Sequence, residues 1–147
     1  MRVLLLLIVS LLGLGGCGQP KQVYIDKAYI RTAAAPGRPA SGYFTLHGGT
    51  AATTLISVHT EVAIKTEMHE SMTGAGGMST MKPLDHVALP ADSTVEFKPG
   101  GKHLMIYDLN PGMTVGKTIT MVFTFSDGSR LEKEALLIAP AAPAPYS

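Results

Sequence analysis

Histidine and methionine side chains, both of which can bind metal ions, occur together in two parts of this chain. One part is the glycine-rich stretch 68–81, which holds four methionines and His69. The other contains His103 and Met105, which are separated by Leu104. Side chains alternate between the two faces of a β-strand, so His103 and Met105 share one face while Leu104 points to the core. Two such donors on one face can chelate a single ion.

The stretch 68–81 is not composed as a hydrophobic core would be. On the strand that enters it, Met68 is predicted to face the core with Ile64, and His69 is predicted to face solvent. A single methionine in such a place is more often a packing residue than a ligand. We nevertheless predict a metal site, because the methionines cluster and because His69 and His103 both face solvent.

The types of these side chains indicate which metal they would bind. Thioether sulfur is soft and uncharged, so it suits Cu(I) and serves poorly for Zn²⁺, Mg²⁺ or Ca²⁺. Methionine has no proton to lose, so its binding depends less on pH than thiolate binding does. A neutral site of thioether and imidazole groups should exchange its ion readily with a partner, which favours a carrier over a catalyst.

The composition excludes several other classes of protein. The 147 residues suffice for one domain with a core. Twelve basic and eleven acidic side chains nearly balance, so no nucleic-acid partner is expected. The single cysteine excludes a disulfide framework, a cysteine-rich zinc site and a CxxC redox pair. The sequence has no nucleophile elbow, paired-carboxylate pattern or zinc-protease motif, so we predict that the protein is not an enzyme.

The first residues carry the pattern of an export signal. Arg2 is followed by an apolar run that is shorter than the roughly 20 residues of a membrane-spanning helix. The segment from Leu14 to Cys17 resembles a bacterial lipobox, in which the cysteine is lipidated and becomes the mature N-terminus. We therefore predict a lipoprotein signal peptide at 1–16 and a lipid-anchored tether at 17–22. The expected location is the cell envelope or periplasm, attached to a membrane.

The rest of the chain is predicted to be all-β. Short stretches rich in Val, Ile, Thr, Tyr and Phe alternate with turn residues, and Asp127-Gly128 predicts a tight hairpin. Many short strands at this spacing indicate a sandwich or a barrel. We place the β domain at 23–138 and a Pro/Ala-rich disordered tail at 139–147. The predicted strands are Val23–Ile30, Ser41–His47, Thr54–His59, Ala63–His69, Met78–Lys82, His86–Leu89, Thr94–Lys98, His103–Leu109, Lys117–Ser126 and Ser129–Ile138.

The two parts that carry histidine and methionine together resemble the PCuAC family of periplasmic copper chaperones. The motif of that family is a histidine, a methionine about eleven positions later, twenty-one further residues and then His-x-Met. The corresponding residues here, with Lys-Pro-Gly-Gly at 98–101 before the second histidine, are His69, Met81, His103 and Met105. The resemblance covers residues 23–138, nearly the whole predicted domain.

The spacing matches that family in one half of the motif and differs in the other. Twenty-one residues separate Met81 from His103, as in the family. Eleven residues separate His69 from Met81 where the family has ten, and a glycine-rich turn between them can absorb the extra residue. The identity of the hairpin ligand therefore stays open between Met78 and Met81, and the second spacing favours Met81. Met72 is a further auxiliary candidate.

The resemblance implies a fold, a cargo and a role. The fold is a cupredoxin-like Greek-key β-barrel or sandwich, and the cargo is Cu(I). The ligands that it implies are His69, Met81, His103 and Met105. Members of the family supply copper to the CuA centre of cytochrome c oxidase, so the expected partners are the CuA subunit or another copper-assembly protein. Some members bind Cu(II) through a His/Met-rich tail, but the tail here has neither residue type and no second site is expected.

Two alternative functions remain to be compared with a chaperone. A copper buffer or resistance protein would use the same ligands without a dedicated acceptor, and the sequence separates it poorly from a chaperone. An electron-transfer cupredoxin needs a cysteine thiolate with two histidines and an axial methionine. Cys17 is committed to the lipid and lies far from the other residues in the sequence, so we do not expect this function.

Other polar side chains are given structural roles. Glu67 and Glu70 flank His69 and could orient its ring, although exposed acids of strands and loops seldom do so. The histidines that we expect to be surface or hydrogen-bonded residues are His47, His59 and His86.

Overall fold

The computed structural model describes residues 19–146, which form ten strands and one short 3-10 turn. The turn, Ala75–Gly77, lies between the fourth and fifth strands. The predicted all-β class is confirmed, and each predicted strand has a counterpart. In chain order the strands are β1 (Tyr24–Arg31), β2 (Ala40–His47), β3 (Thr53–His59), β4 (Ala63–Thr73), β5 (Ser79–Leu84), β6 (Val87–Leu89), β7 (Thr94–Phe97), β8 (Lys102–Leu109), β9 (Thr118–Phe125) and β10 (Arg130–Ile138).

The N-terminal predictions lie outside the described residues. These are the signal peptide at 1–16 and the lipidation site at Cys17. Among the residues that the structure does describe, no helix has the length and apolar character needed to cross a membrane.

All ten strands of the described chain hydrogen-bond into one sheet, which curls around one main core, and a small second cluster contains Tyr29, Tyr43 and Ile138. Their order is β5-β4-β8-β7-β2-β1-β10-β9-β3-β6, and β2 also pairs with β8. Phe44 on β2 and Phe123 on β9 are three strand spacings apart in this order, which would be about 14 Å in a flat sheet. Their ring centroids are only 4.8 Å apart. The sheet must therefore bend back on itself to bring the two halves into contact.

The core lies inside the curled sheet, and β4 and β8 each contribute one face to it. Met68 and Leu104 are 6% and 1% exposed and pack with the other buried side chains, whereas Ile64, which was expected to face the core with Met68, is 81% exposed near the start of β4. Each fully buried side chain of this size contributes roughly 1.5–3 kcal/mol to the free energy of unfolding. Because side chains alternate along a strand, burying Met68 and Leu104 turns the neighbouring His69 and His103 to the opposite face.

The β4–β5 hairpin is longer than predicted. The sequence suggests that β4 ends at His69, whereas it continues to Thr73 and pairs there with Ser79 of β5. The polar residues after His69 do not look like a strand, but pairing with β5 satisfies their backbone groups. The turn has φ of 81° at Gly76 and 76° at Gly77, which glycine adopts without strain. This extension pairs β5 with β4 from Met68 to Thr73.

The β9–β10 hairpin forms at the predicted place. Asp127 Oδ1 accepts hydrogen bonds from the backbone N–H of Ser129 at 2.9 Å and from its hydroxyl at 2.6 Å. Gly128 supplies the positive φ, 84°, that the tight turn requires. The Ser129 hydroxyl and N–H lower the pKa of Asp127.

The segment after β10, which the composition predicts to be a disordered tail, makes contacts with the domain. Arg31 Nη1 donates to the carbonyl oxygen of Pro140 at 2.9 Å and to that of Ala142. The ring of Tyr146 lies 6.4 Å from that of Tyr29, centroid to centroid. Proline has no N–H with which to extend the sheet, but the carbonyl groups of this segment still accept hydrogen bonds, and the composition alone does not reveal the donor on β1.

Candidate metal centre

The predicted ligands lie on one face of three adjacent strands, β5, β4 and β8. The β4–β8 pairing sets His69 directly opposite His103, and Glu67 directly opposite Met105. The β4–β5 pairing sets Met81 opposite the residue two positions after His69. Directly opposed residues share a face of the sheet, and so do residues two apart on one strand. The register therefore brings all four predicted ligands to the same surface, away from the core.

His103 has one ring nitrogen held by the backbone and the other turned to a sulfur atom. Its Nδ1 lies 2.9 Å from the carbonyl oxygen of Gly101. Because a carbonyl oxygen only accepts, Nδ1 must carry the proton, and Nε2 of the neutral ring is then unprotonated. Nε2 lies 3.2 Å from Sδ of Met81, which has no proton to donate. In the neutral ring, the lone pair of His103 Nε2 therefore points at a lone pair of the Met81 sulfur. A cation bound between the two atoms could accept both lone pairs.

His69 has the opposite arrangement. Its Nε2 lies 3.2 Å from Oε2 of Glu67, and an ionised carboxylate only accepts, so Nε2 carries the proton. Its Nδ1 is buried and has no hydrogen-bond partner. An unpaired buried acceptor costs about 1–3 kcal/mol, a cost that a bound cation would remove. The centroids of the His69 and His103 rings are 6.0 Å apart.

Glu67 is held by a cation as well as by His69. Lys65 Nζ lies 2.6 Å from Oε1 of Glu67. The Lys65 ammonium, and next the N–H of His69, lower the pKa of Glu67 to about 2. Glu67 is therefore ionised at neutral pH. Contrary to the expectation for exposed acids, Glu67 contacts the ring of His69, and the alternation of Lys65, Glu67 and His69 along one strand face could have indicated this contact.

The structure separates the candidate methionines from one another. Met81 is 58% exposed and approaches His103, as described above. Met78 is 70% exposed and lies just before the first residue of β5, at the hairpin tip. Met72 lies on the face of β4 opposite to His69, so the auxiliary role predicted for it does not fit the geometry. Met105 is partly exposed and lies on the ligand face of β8.

Both histidines are less exposed than the sequence suggests. His103 is 7% exposed, and the side chain of His69 is 14% exposed. The expectation of two solvent-facing rings is therefore wrong for His103 and overstated for His69. Strand alternation correctly assigns the face of each ring, but it does not show that the β4–β5 hairpin brings Met81 against one of them.

The other histidines have the structural roles predicted for them. His47 Nε2 lies 3.1 Å from Asp26 Oδ1, and its Nδ1 lies 3.4 Å from the hydroxyl of Thr94. Its ring also stacks on Tyr24, with centroids 4.2 Å apart. His59 and His86 are exposed.

The donor set at this face is suited to a soft cation. Within residues 19–146, no three or more His, Cys, Asp or Glu side chains form a group that could hold a metal ion. The other metal-binding side chains that the strand register places on this face are the thioethers of Met81 and Met105. Two imidazole nitrogens with thioether sulfur are the donors that Cu(I) prefers, and they are poor ligands for Mg²⁺ or Ca²⁺.

Solved structures with the same fold include copper-binding domains. The copper-bound PCuAC domain from PmoF2 matches with a TM-score of 0.67 and 21% identity, over 82% of this chain and 96% of that domain. The Cu(I) form of DR1885 from Deinococcus radiodurans matches with a TM-score of 0.64 and 25% identity, over 82% of this chain and 80% of that chain. The PCuAC-type, cupredoxin-like fold predicted from the motif is confirmed.

Sequence comparison shows the family of the chain. A relative from Leifsonia xyli subsp. xyli, named "Putative lipoprotein Lxx21020", is 28% identical over an alignment of 131 residues that covers 81% of this chain and 78% of the relative. The model of the family described as "Putative lipoprotein LpqE-like" matches residues 23–136, almost the whole β domain. The chain belongs to the LpqE-like lipoprotein family.

Proposed function

We propose that this protein is an extracytoplasmic metallochaperone that carries one Cu(I) ion. Its ligands are His69, Met81, His103 and Met105. The observation that carries this proposal is a set of candidate donors on one face of the sheet: a buried Nδ1 on His69 without a hydrogen-bond partner, and Nε2 of His103 at 3.2 Å from Sδ of Met81. The copper-bound and Cu(I) forms of the structural neighbours support the choice of cargo.

The geometry suits transfer of the ion to another protein. Met81 is 58% exposed on the β4–β5 hairpin, whereas His103 is 7% exposed on a paired strand. An acceptor can therefore displace the exposed thioether first, while the imidazoles still hold the ion. Neutral ligands can release the ion without taking up a proton, so each exchange step has a low free-energy cost. We assign no catalytic residue and no enzymatic activity.

The acceptor that we propose is the CuA site of a respiratory oxidase, reached directly or through another copper-assembly protein. The alternative is a copper buffer or resistance protein that uses the same ligands without a dedicated acceptor. To compare them, Cu(I)-loaded protein is mixed anaerobically with the metal-free soluble domain of a CuA subunit. Transfer faster than release to a small chelator of matched affinity supports a chaperone, and equal rates support a buffer.

The attachment that we propose follows the family. A signal peptide at 1–16 is removed, Cys17 is lipidated, and residues 17–22 connect the lipid to the domain at 23–138. The protein would then work at a membrane surface in the cell envelope. Radiolabelled palmitate incorporated into the wild-type protein, and lost in Cys17→Ser, would support this arrangement.

The first test is an anaerobic Cu(I) titration of residues 18–147, which contain every strand of the described fold. X-ray absorption at the copper edge then counts the ligands. We expect one Cu(I) with mixed sulfur and nitrogen ligands, lost in His103→Ala. Binding that is absent in the wild type, or unchanged when His69 and His103 are both replaced, would contradict the proposal.

A further inference from the structure

We propose that the two histidines bind the ion through different nitrogens, His69 through Nδ1 and His103 through Nε2. We further propose that Glu67 is a positioning residue that sets the tautomer of His69. This inference rests on the proposed function for its binding step, but the tautomers are properties of the metal-free protein and can be measured without copper.

The first argument is the contact between Glu67 and His69. Glu67 Oε2 lies 3.2 Å from Nε2 of His69, and its other oxygen is held by Lys65 at 2.6 Å. A carboxylate fixed in this way repels a lone pair and attracts an N–H group. The tautomer with the proton on Nδ1 would point a lone pair at the carboxylate and leave a buried N–H without a partner. Both effects favour the proton on Nε2, and so leave Nδ1 free for the ion.

The second argument is that His103 is controlled by a different part of the molecule. The carbonyl oxygen of Gly101, 2.9 Å from Nδ1, keeps the proton of His103 there. This acceptor belongs to the backbone, and the turn just before β8 holds it, with the N–H of Gly101 bonded to the carbonyl of Lys98 at 3.0 Å. No side-chain substitution removes it. The tautomer of His69, in contrast, depends on one replaceable side chain.

The third argument is that Glu67 has a close structural counterpart. Glu70 is the next residue after His69, but it lies on the opposite face of β4 and pairs with Lys102 at 2.8 Å. The two acids are thus similar in charge, strand and lysine pairing. They differ in contact with the imidazole, so Glu70 provides a matched control.

The experiment is ¹⁵N NMR of the histidine rings in residues 18–147, recorded without metal at pH 8. Long-range ¹H–¹⁵N correlations identify which nitrogen of each neutral ring carries the proton. We expect the proton of His69 on Nε2 and that of His103 on Nδ1. Addition of one equivalent of Cu(I) should then shift Nδ1 of His69 and Nε2 of His103. The reverse tautomer at His69, or copper shifts at its Nε2, would overturn the inference.

Three variants separate positioning from a general structural effect. Glu67→Ala removes the acceptor, so we expect His69 to show a mixture of tautomers and Cu(I) affinity to fall about 10–100-fold. Glu67→Gln keeps an oxygen acceptor and should restore most of the Nε2–H tautomer. Glu70→Ala should change neither property. His69 remaining fully in its wild-type tautomer in Glu67→Ala, or an equal effect in Glu70→Ala, would contradict the role of Glu67.

The readouts distinguish this inference from the proposed function. If the metal-free tautomers are as expected but the wild type binds no Cu(I), the carrier function fails while the positioning role of Glu67 stands. If Cu(I) binds tightly but Glu67→Ala changes neither tautomer nor affinity, the function stands and the positioning role fails.

Discussion

His47 and the His69–His103 pair lie in different parts of the same sheet and differ in how their ring nitrogens are satisfied. His47 has Asp26 at one nitrogen, the Thr94 hydroxyl at the other, and Tyr24 stacked on its ring. His69 and His103 each have one nitrogen anchored by an oxygen acceptor. Their other nitrogens have either no partner or a thioether sulfur.

This difference is the reason for proposing His69 and His103, and not His47, as ligands. A ring with two oxygen partners is a structural crosslink, because binding a metal would break one of its bonds. A ring with one oxygen partner is fixed in orientation and keeps a lone pair for a cation. Burial does not distinguish the two kinds, since His47, His69 and His103 are all largely covered.

The largest effect expected is the loss of copper binding in His103→Ala. Removing a ligand should cost more than the roughly 10–100-fold lost with an outer partner. His47→Ala is the control: Cu(I) affinity should stay within about twofold, while the free energy of unfolding falls by about 1 kcal/mol because the Asp26 contact is lost. Competition with a Cu(I) indicator and urea denaturation measure the two quantities. Equal loss of copper in both variants would erase the distinction between the two regions.

The next effect expected is a weaker site in Met81→Leu. Removal of the sulfur should lower Cu(I) affinity about tenfold or more, equivalent to at least about 1.4 kcal/mol of binding free energy. Stability should change by no more than about 0.5 kcal/mol, because Met81 is 58% exposed. Met72→Leu is the matched control on the other face of β4 and should keep wild-type affinity. Cu(I) titration of both variants measures the affinities. A larger loss of affinity in Met72→Leu than in Met81→Leu would show that the two methionines are assigned to the wrong faces.

A smaller loss of affinity, about three- to tenfold, is expected for Met105→Leu. Met105 is partly exposed on the ligand face, and leucine has a similar volume, so the fold should lose less than about 1.5 kcal/mol. Thermal unfolding and Cu(I) competition measure both. If Met105→Leu unfolds but Leu104→Ala remains folded, Met105 and not Leu104 belongs to the core.

The smallest effect expected concerns acid stability, far from the metal face. The pKa of Asp127 is lowered in the folded protein, so its contribution to stability is complete above the unfolded value of 3.8 and is lost as pH falls below it. Asp127→Asn should therefore be less stable than the wild type at pH 6, and the gap should narrow at pH 3. Urea denaturation at the two pH values measures this gap. A gap that is constant with pH would mean that the charge of Asp127 contributes nothing.

Local patterns were sufficient to predict most of the fold. Strand alternation and turn residues place the strands, assign Met68 to the core, and put His103 and Met105 on the same face. Each of these depends on residues close together in the chain, where the period of two leaves few alternatives. The end of β4 was missed because the backbone there is satisfied by β5, which the residues of β4 do not reveal.

The sequence alone determined the all-β class, the histidine and methionine types that suit Cu(I), and the Met81–His103 spacing. Only the tertiary structure decided which methionine reaches His103, how deeply the rings are buried and which oxygen anchors each ring. These three depend on cross-strand register, and a shift of one residue would send Met81 to the other face. Register is set by packing across the whole sheet, so no local segment of the chain contains it.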